Sequence, residues 1–338
     1  DRAALEDQID RLRRAINRHI IHDKTRIDAA ISVGVAMFNP TTFQNGAGDI
    51  STVLREADIA LYASKEAGRD CVTFFTPVMG AAAKARGRLE IELARAVERR
   101  EFALHFQPRM DIGTGRIVAA EGLVRWYHPE RGLVMPGTFI SVCEETGLIE
   151  DLGVMVLEMG CKQAIAWQNE GRDITVSLNV SPRQFSDAGF LDTLTALAEQ
   201  PDFPTGKIEL EVTENVLIGD PEMIAERLKT ITAMGYRIAI DDFGTGYSNL
   251  SYISRFPLNC LKIDRSFIAQ LPASGPIVQL ILTLGKQVGA TVVSEGVETH
   301  EQLAWLNDHN CEKAQGYLIT APLPIGKFND FCIRAEQA

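Results

Sequence analysis

Several apolar runs end on a polar residue that hydrophobic patterning alone does not place there. Val118-Ala-Ala leads to Glu121, Val176-Ser-Leu to Asn179, Ile208-Glu-Leu to Glu211 and Ile238-Ala-Ile to Asp241-Asp242. Leu261 leads to Lys262, Val292-Val-Ser to Glu295 and Ala314 to Gln315. If these ends meet in one cleft, the carboxylates must either take up protons or bind cations. Carboxylate oxygens and an amide carbonyl, with no His or Cys, make the hard-oxygen set that Mg²⁺ or Mn²⁺ prefers. The adjacent Asp241 and Asp242 suit two ions, and paired ions about 3.5–4 Å apart serve in-line displacement at phosphorus. Taken singly, each residue also reads as a solvated loop residue, and Lys262 as an ion-pair partner of Asp264; their common place at strand ends favours a site. Glu209 shares the side of its strand with Glu211 but lies one layer deeper and has no evident role.

The elements that must position these residues alternate strand with helix from about residue 87 onward. Strands are predicted at 103–109, 118–126, 174–180, 207–213, 237–242, 260–264, 291–295 and 313–317. That count and length fit an α/β architecture, a modified (β/α)8 barrel with a parallel sheet, in which the carboxyl ends of the strands share one face. Residues 1–78 are read as a smaller α+β segment: a helix over 3–20, a strand over 29–38, a loop at 39–48, a helix over 50–67 and a strand over 72–75. Residues 79–86, small and Ala-rich, are expected to form a linker.

Composition narrows the function. The 338 residues carry 34 Lys and Arg against 45 Asp and Glu, a formal charge of −11, with no basic run for a polymeric nucleic acid. The scattered cysteines, without a CxxC pair, read as reduced core thiols of a cytoplasmic protein. No run approaches the length of a membrane span, and a chain opening on Asp1 is expected to be part of something longer, so no membrane contact is expected within it. The segment Asp242-Phe-Gly-Thr-Gly-Tyr-Ser lacks the third glycine of a dinucleotide fingerprint and is read as a glycine loop beside the metal site. His19 and His22 have metal-like spacing but no acidic or thiol partners, and are read as surface histidines.

Glu121-Gly-Leu, Asn179-Val-Ser-Pro-Arg-Gln, Glu211-Val-Thr-Glu, Asp241-Asp-Phe-Gly-Thr-Gly-Tyr, Lys262-Ile-Asp, Glu295-Gly-Val-Glu and Gln315-Gly-Tyr, in this order, resemble the EAL domain family of cyclic di-GMP phosphodiesterases. The resemblance, over about residues 87–328, implies hydrolysis of cyclic di-GMP to linear pGpG with two Mg²⁺ or Mn²⁺ ions, inhibition by Ca²⁺, and a homodimer. It implies Glu121, Asn179, Glu211, Asp241 and Asp242 as metal ligands, with Lys262 and Glu295 acting on the attacking water. Gln107, Leu123, Arg125, Arg183, Glu298 and Gln315 would hold the substrate, and Glu214 would anchor the loop 242–248. The chain departs from the family in Gly122 for Ala, Asn249 for Ser, and Ile319-Thr-Ala for Phe-Ser-Arg. Residues 1–78 resemble the carboxyl-terminal part of a GGDEF cyclase domain through Ser32-Val-Gly-Val-Ala, Ala57-Asp-Ile-Ala-Leu-Tyr and Lys65-Glu-Ala-Gly-Arg-Asp, without the GGDEF signature. A receptor that only binds the dinucleotide, and a hydrolase of another phosphodiester, are the competing readings.

Overall fold

Asp49 caps a helix at Ile50–Glu66 by accepting from Ser51 N, and that helix packs on two short parallel strands, β3 (Val33–Val35) and β4 (Val72–Phe74). These belong to a computed structural model that describes residues 2–16, 19–22, 25–28, 30–37, 49–217, 220–246 and 253–336. The loop at 39–48 lies outside the described residues. The first helix is shorter than its periodicity predicts, Arg2–Ile16, because β1 (His19–His22) pairs antiparallel with β2 (Thr25–Asp28). Gly34 is required where it stands, since a Cβ there would lie 2.2 Å from the Ala57 carbonyl oxygen of the packed helix.

The segment expected as a linker is helical. Pro77–Glu98 forms one continuous helix, and the division of the chain into two compact units, 1–92 and 93–338, falls within it. The reason is chemical: Ala is the strongest helix former and Lys, Arg and Leu follow it, so an Ala-rich stretch that lacks internal Pro propagates a helix. Pro77 opens it at the position where a missing N–H costs nothing.

In the second unit a sheet closes on itself. Strands β5 (Phe102–Asp111), β6 (Ile117–His128), β8 (Thr175–Val180), β9 (Ile208–Thr213), β10 (Arg237–Phe243), β11 (Cys260–Ile263), β12 (Thr291–Ser294) and β13 (Lys313–Ala314) form the barrel, β13 returns to β5, and the short β7 (Gly132–Val134) pairs antiparallel with the end of β6. From β6 to β13 the ladder is parallel, but β5 runs antiparallel to both its neighbours. A ten-residue strand joined to β6 by the short turn at 112–116 can only return as a hairpin, which is why the fully parallel expectation fails there.

Alternation sets what each strand shows the barrel interior. Ala239, Cys260 and Val293 form a buried cluster, and two residues further along the same strands stand Asp241, Lys262 and Glu295. A small apolar layer therefore underlies a charged one. Residues of opposite parity face the helices: Leu178, buried, lies where Cβ atoms on Gly122 and Gly160 would come within 2.9 Å and 2.5 Å of its methyl groups. Gly122, the departure from the family signature, thus points away from the cleft.

Candidate active site

Lys262 Nζ lies 2.5 Å from Glu211, 2.6 Å from Glu295, 2.9 Å from Asp241 and 3.6 Å from Glu121, with its side chain 1% exposed. Its expected partner Asp264 is engaged otherwise, accepting from Ser266 N as a helix cap. Burial opposes the ammonium's charge, but the four carboxylates outweigh it and raise its pKa well above the usual value. The same burial pushes Glu295 up to about 8 and Glu211 to about 7, with neighbouring carboxylates adding to the effect. Glu121 goes the other way: Lys262, Arg109 and hydrogen bonds from Gln315 and Asn179 overcome burial and hold it at about 2.

Asp241 and Asp242 reach one site by a local irregularity. Consecutive strand residues normally face opposite sides, but the β10–β11 register shifts between Ile240 and Phe243 and Asp242 takes a left-handed φ of 53°. Carboxylate oxygens of Asp241, Asp242 and Glu295 consequently lie within 4.8 Å of one another. Asn179 Nδ2 donates to Glu121 Oε1 at 2.7 Å, which brings the amide into the group. Carboxylates thus outnumber the cationic Lys262 and Arg109, and every donor is oxygen. Such a set fits a hard divalent cation, which would supply the missing positive charge.

The cleft above this layer, about 200 Å³, is lined by Gln107, Leu123, Glu298 and Gln315 together with Glu121, Asp241, Lys262 and Glu295. Arg265 and Tyr317 line it as well; Tyr317 closes the Gln315-Gly-Tyr motif with no role assigned to it, and patterning gives no sign of Arg265. A more apolar cavity of about 340 Å³ shares Leu123 with the cleft and is walled by Asn179, Ile140 and Leu152. Two residues expected to hold substrate are not among the cleft's lining. Arg183 is half-exposed and donates to Glu150 at 3.3 Å and to the Glu144 carbonyl at 2.7 Å. Arg125 is buried and donates to the Val124 carbonyl.

The family comparison matches residues 90–322 to the EAL domain. The chain belongs to the EAL domain family. Among EAL relatives, the bifunctional diguanylate cyclase/cyclic di-GMP phosphodiesterase MucR of Pseudomonas aeruginosa is 37% identical over 316 residues, covering 91% of this chain and 44% of that protein. The cyclic di-GMP phosphodiesterase NbdA of the same organism is 34% identical over 325 residues, covering 95% of this chain and 41% of NbdA. The chain thus spans less than half the length of either relative. A solved structure, the PaMucR phosphodiesterase in complex with c-di-GMP, superposes with a TM-score of 0.68 at 38% identity, covering 71% of this chain and 99% of that one.

Glu214 shows how the EAL barrel holds its glycine loop. It is 3% exposed, and its Oε2 accepts from Gly244 N at 2.9 Å and Gly246 N at 3.3 Å. A Cβ on Gly246 would stand 2.7 Å from Glu214 Oε1, so a side chain there would push the anchoring carboxylate aside. Residues 247–250, including Asn249, lie outside the described residues. Glu214→Ala is expected to lower turnover about 10- to 100-fold, as loss of a partner that supports a metal ligand does, while the far-ultraviolet dichroism stays that of the folded protein. Wild-type turnover in that variant would show that Asp242 is placed without the anchor.

Proposed function

We propose that this chain hydrolyses cyclic di-GMP to linear pGpG. The observation that carries the reading is the oxygen-only acidic layer around Lys262, set at the carboxyl ends of an EAL barrel. Glu121, Asn179, Glu211, Asp241 and Asp242 would hold Mg²⁺ or Mn²⁺, two ions in all. Bound there, the ions supply charge compensation for the phosphoryl oxygens and lower the pKa of water. The chain's own part is to orient and to move protons. Lys262 donates toward the attacking water and phosphoryl oxygens, and Glu295, 2.6 Å from it, takes the water's proton. The water oxygen joins phosphorus as its proton passes to Glu295, the P–O3′ bond breaks, and the leaving O3′ takes a proton from solvent while Glu295 returns its own to solvent. Gln107, Leu123, Glu298 and Gln315 line the space for the dinucleotide, and the apolar cavity beside Leu123 offers a surface for one guanine. Arg125 and Arg183 would need to leave their present partners to reach it.

The decisive experiment incubates cyclic di-GMP with the protein and Mg²⁺ or Mn²⁺, with and without chelator, and resolves the products by chromatography. Linear pGpG formed only without chelator supports the reading; intact, bound cyclic di-GMP would make the chain a receptor. Replacing Mg²⁺ by Ca²⁺ is expected to suppress turnover, since Ca²⁺ takes about 6–8 oxygens at about 2.3–2.6 Å where Mg²⁺ demands an octahedron near about 2.0–2.1 Å. Equal rates with both ions would exclude that geometric account.

Residues 1–78 are proposed to be the carboxyl-terminal part of a GGDEF domain, and GTP given to this chain is expected to yield no cyclic di-GMP. The family resemblance also supports a homodimer, which sedimentation tests, and the free cysteines support a cytoplasmic setting. Among the described residues no helix is long and apolar enough to cross a membrane.

A further inference from the structure

Arg109 lies on β5 with its side chain 1% exposed, beneath the cleft. Its guanidinium meets three partners, two on β9 and one just past the end of β13. Nε donates to Gln315 Oε1 at 2.8 Å, Nη1 donates to Glu209 Oε1 at 2.6 Å, and Nη2 donates to Glu211 Oε1. One of them, Gln315, lines the cleft, and a second, Glu211, stands behind it against Lys262. Glu211 offers its other oxygen to Lys262 at 2.5 Å, and Gln315 uses its amide nitrogen on Glu121 at 2.6 Å and on Gln107 at 3.1 Å.

The chemistry of the donors fixes this arrangement. A guanidinium has no acceptor, so Gln315 must present its carbonyl oxygen to Arg109, and its NH₂ is thereby turned toward Glu121 and Gln107. The planar fork equally dictates which Glu211 oxygen is left for Lys262. Glu209 completes the set from below, held by Ser177 Oγ at 2.8 Å and standing 3.6 Å from Arg237. It neutralises the buried cation without entering the cleft.

We propose that Arg109 is a positioning residue that sets Glu211 and Gln315 in one fixed relation, so that the metal-holding and substrate-holding sides of the cleft are aligned together. The inference rests on the functional reading above. Glu209 is then the guanidinium's structural counter-charge, and the two contacts toward the cleft carry the function. A Lys at 109 keeps the charge but, as a point donor on a flexible stem, cannot hold both groups in register.

The test compares wild type with Arg109→Lys, Glu209→Gln and the double variant Arg109→Met/Glu209→Gln, in which no buried charge is stranded. Four quantities are read: Mn²⁺ affinity by calorimetry without nucleotide, kcat and KM for cyclic di-GMP at saturating Mn²⁺, and melting temperature. Both Arg109 variants are expected to weaken Mn²⁺ by about 10- to 100-fold, the usual loss when a partner behind a metal ligand is removed. They should also raise KM at saturating metal, because the Gln315 amide is released. Glu209→Gln should stay within about threefold of wild type in all of these, the loss falling on the two cleft-facing contacts. A folded double variant with wild-type Mn²⁺ affinity and KM overturns the proposal, as does a Glu209→Gln variant as impaired as Arg109→Lys. Failure of both Arg109 variants to fold would assign the residue to stability alone and overturn it too. Should wild type itself neither bind Mn²⁺ nor cleave cyclic di-GMP, the functional reading falls and this inference with it; active wild type with unaffected Arg109 variants removes the inference alone.

Discussion

Glu121→Gln is expected to cut cyclic di-GMP turnover by at least about 10³-fold, beyond the roughly 10- to 100-fold that partners behind a metal ligand cost. The substitution preserves size but not chemistry. Both Glu121 oxygens accept hydrogen bonds, Oε1 from Asn179 at 2.7 Å and Oε2 from Gln315 at 2.6 Å. A Gln has one acceptor atom and one NH₂, so one neighbour would meet a donor head-on. Either Asn179 or Gln315 must then turn away, and the charge that would draw a cation goes as well. Calorimetry should show Mn²⁺ affinity falling together with turnover. Retained turnover, with the protein folded, would remove Glu121 from the metal-holding group.

The barrel strands are legible because each is an apolar run bounded by turn residues, and the site is legible because polar residues break those runs at one end. Direction is a different matter: a period of two is the same whichever way a strand runs, so only the short connection to β6 reveals that β5 is antiparallel. The placement of Asp242 beside Asp241 depends on a register shift and a left-handed residue that no pattern announces.

Arg109 is hidden for another reason. It lies inside a strand otherwise read as core, and its partners Glu209 and Gln315 are 100 and 206 residues away in the chain. Glu209 gives half a signal, a second carboxylate in the wall of the barrel, but its meaning needs the cation from across the interior. Arg183 presents the opposite case: its motif is plain, and in this structure its guanidinium donates to Glu150 and to the Glu144 carbonyl, contacts that no motif announces. Motif order therefore locates the charged layer well, whereas which cations serve it is decided by tertiary pairing.

Lys262→Met is expected to lower kcat about 10²- to 10³-fold, the loss usual for one electrostatic donor in an active site, while cyclic di-GMP affinity measured in Ca²⁺ changes by no more than a few-fold. The reasoning is that the ammonium, surrounded by Glu121, Glu211, Asp241 and Glu295, keeps its proton and can donate to charge that develops only as the phosphodiester is attacked. The same contacts give Lys262 a structural duty, so the variant should also melt earlier without metal. That penalty should fall short of the about 3–5 kcal/mol typical of a stranded buried charge, because Glu211 and Glu295, already pushed up to about 7 and about 8, take up protons in its absence. Mn²⁺ should restore the melting temperature, since a divalent cation replaces the lost positive charge among the carboxylates, but it should not restore turnover. The two duties thus separate in one variant. Recovery of kcat to within about threefold of wild type on adding Mn²⁺, far short of the loss a charge-stabilising donor implies, would leave Lys262 only the role of a counter-ion for the metal-free barrel.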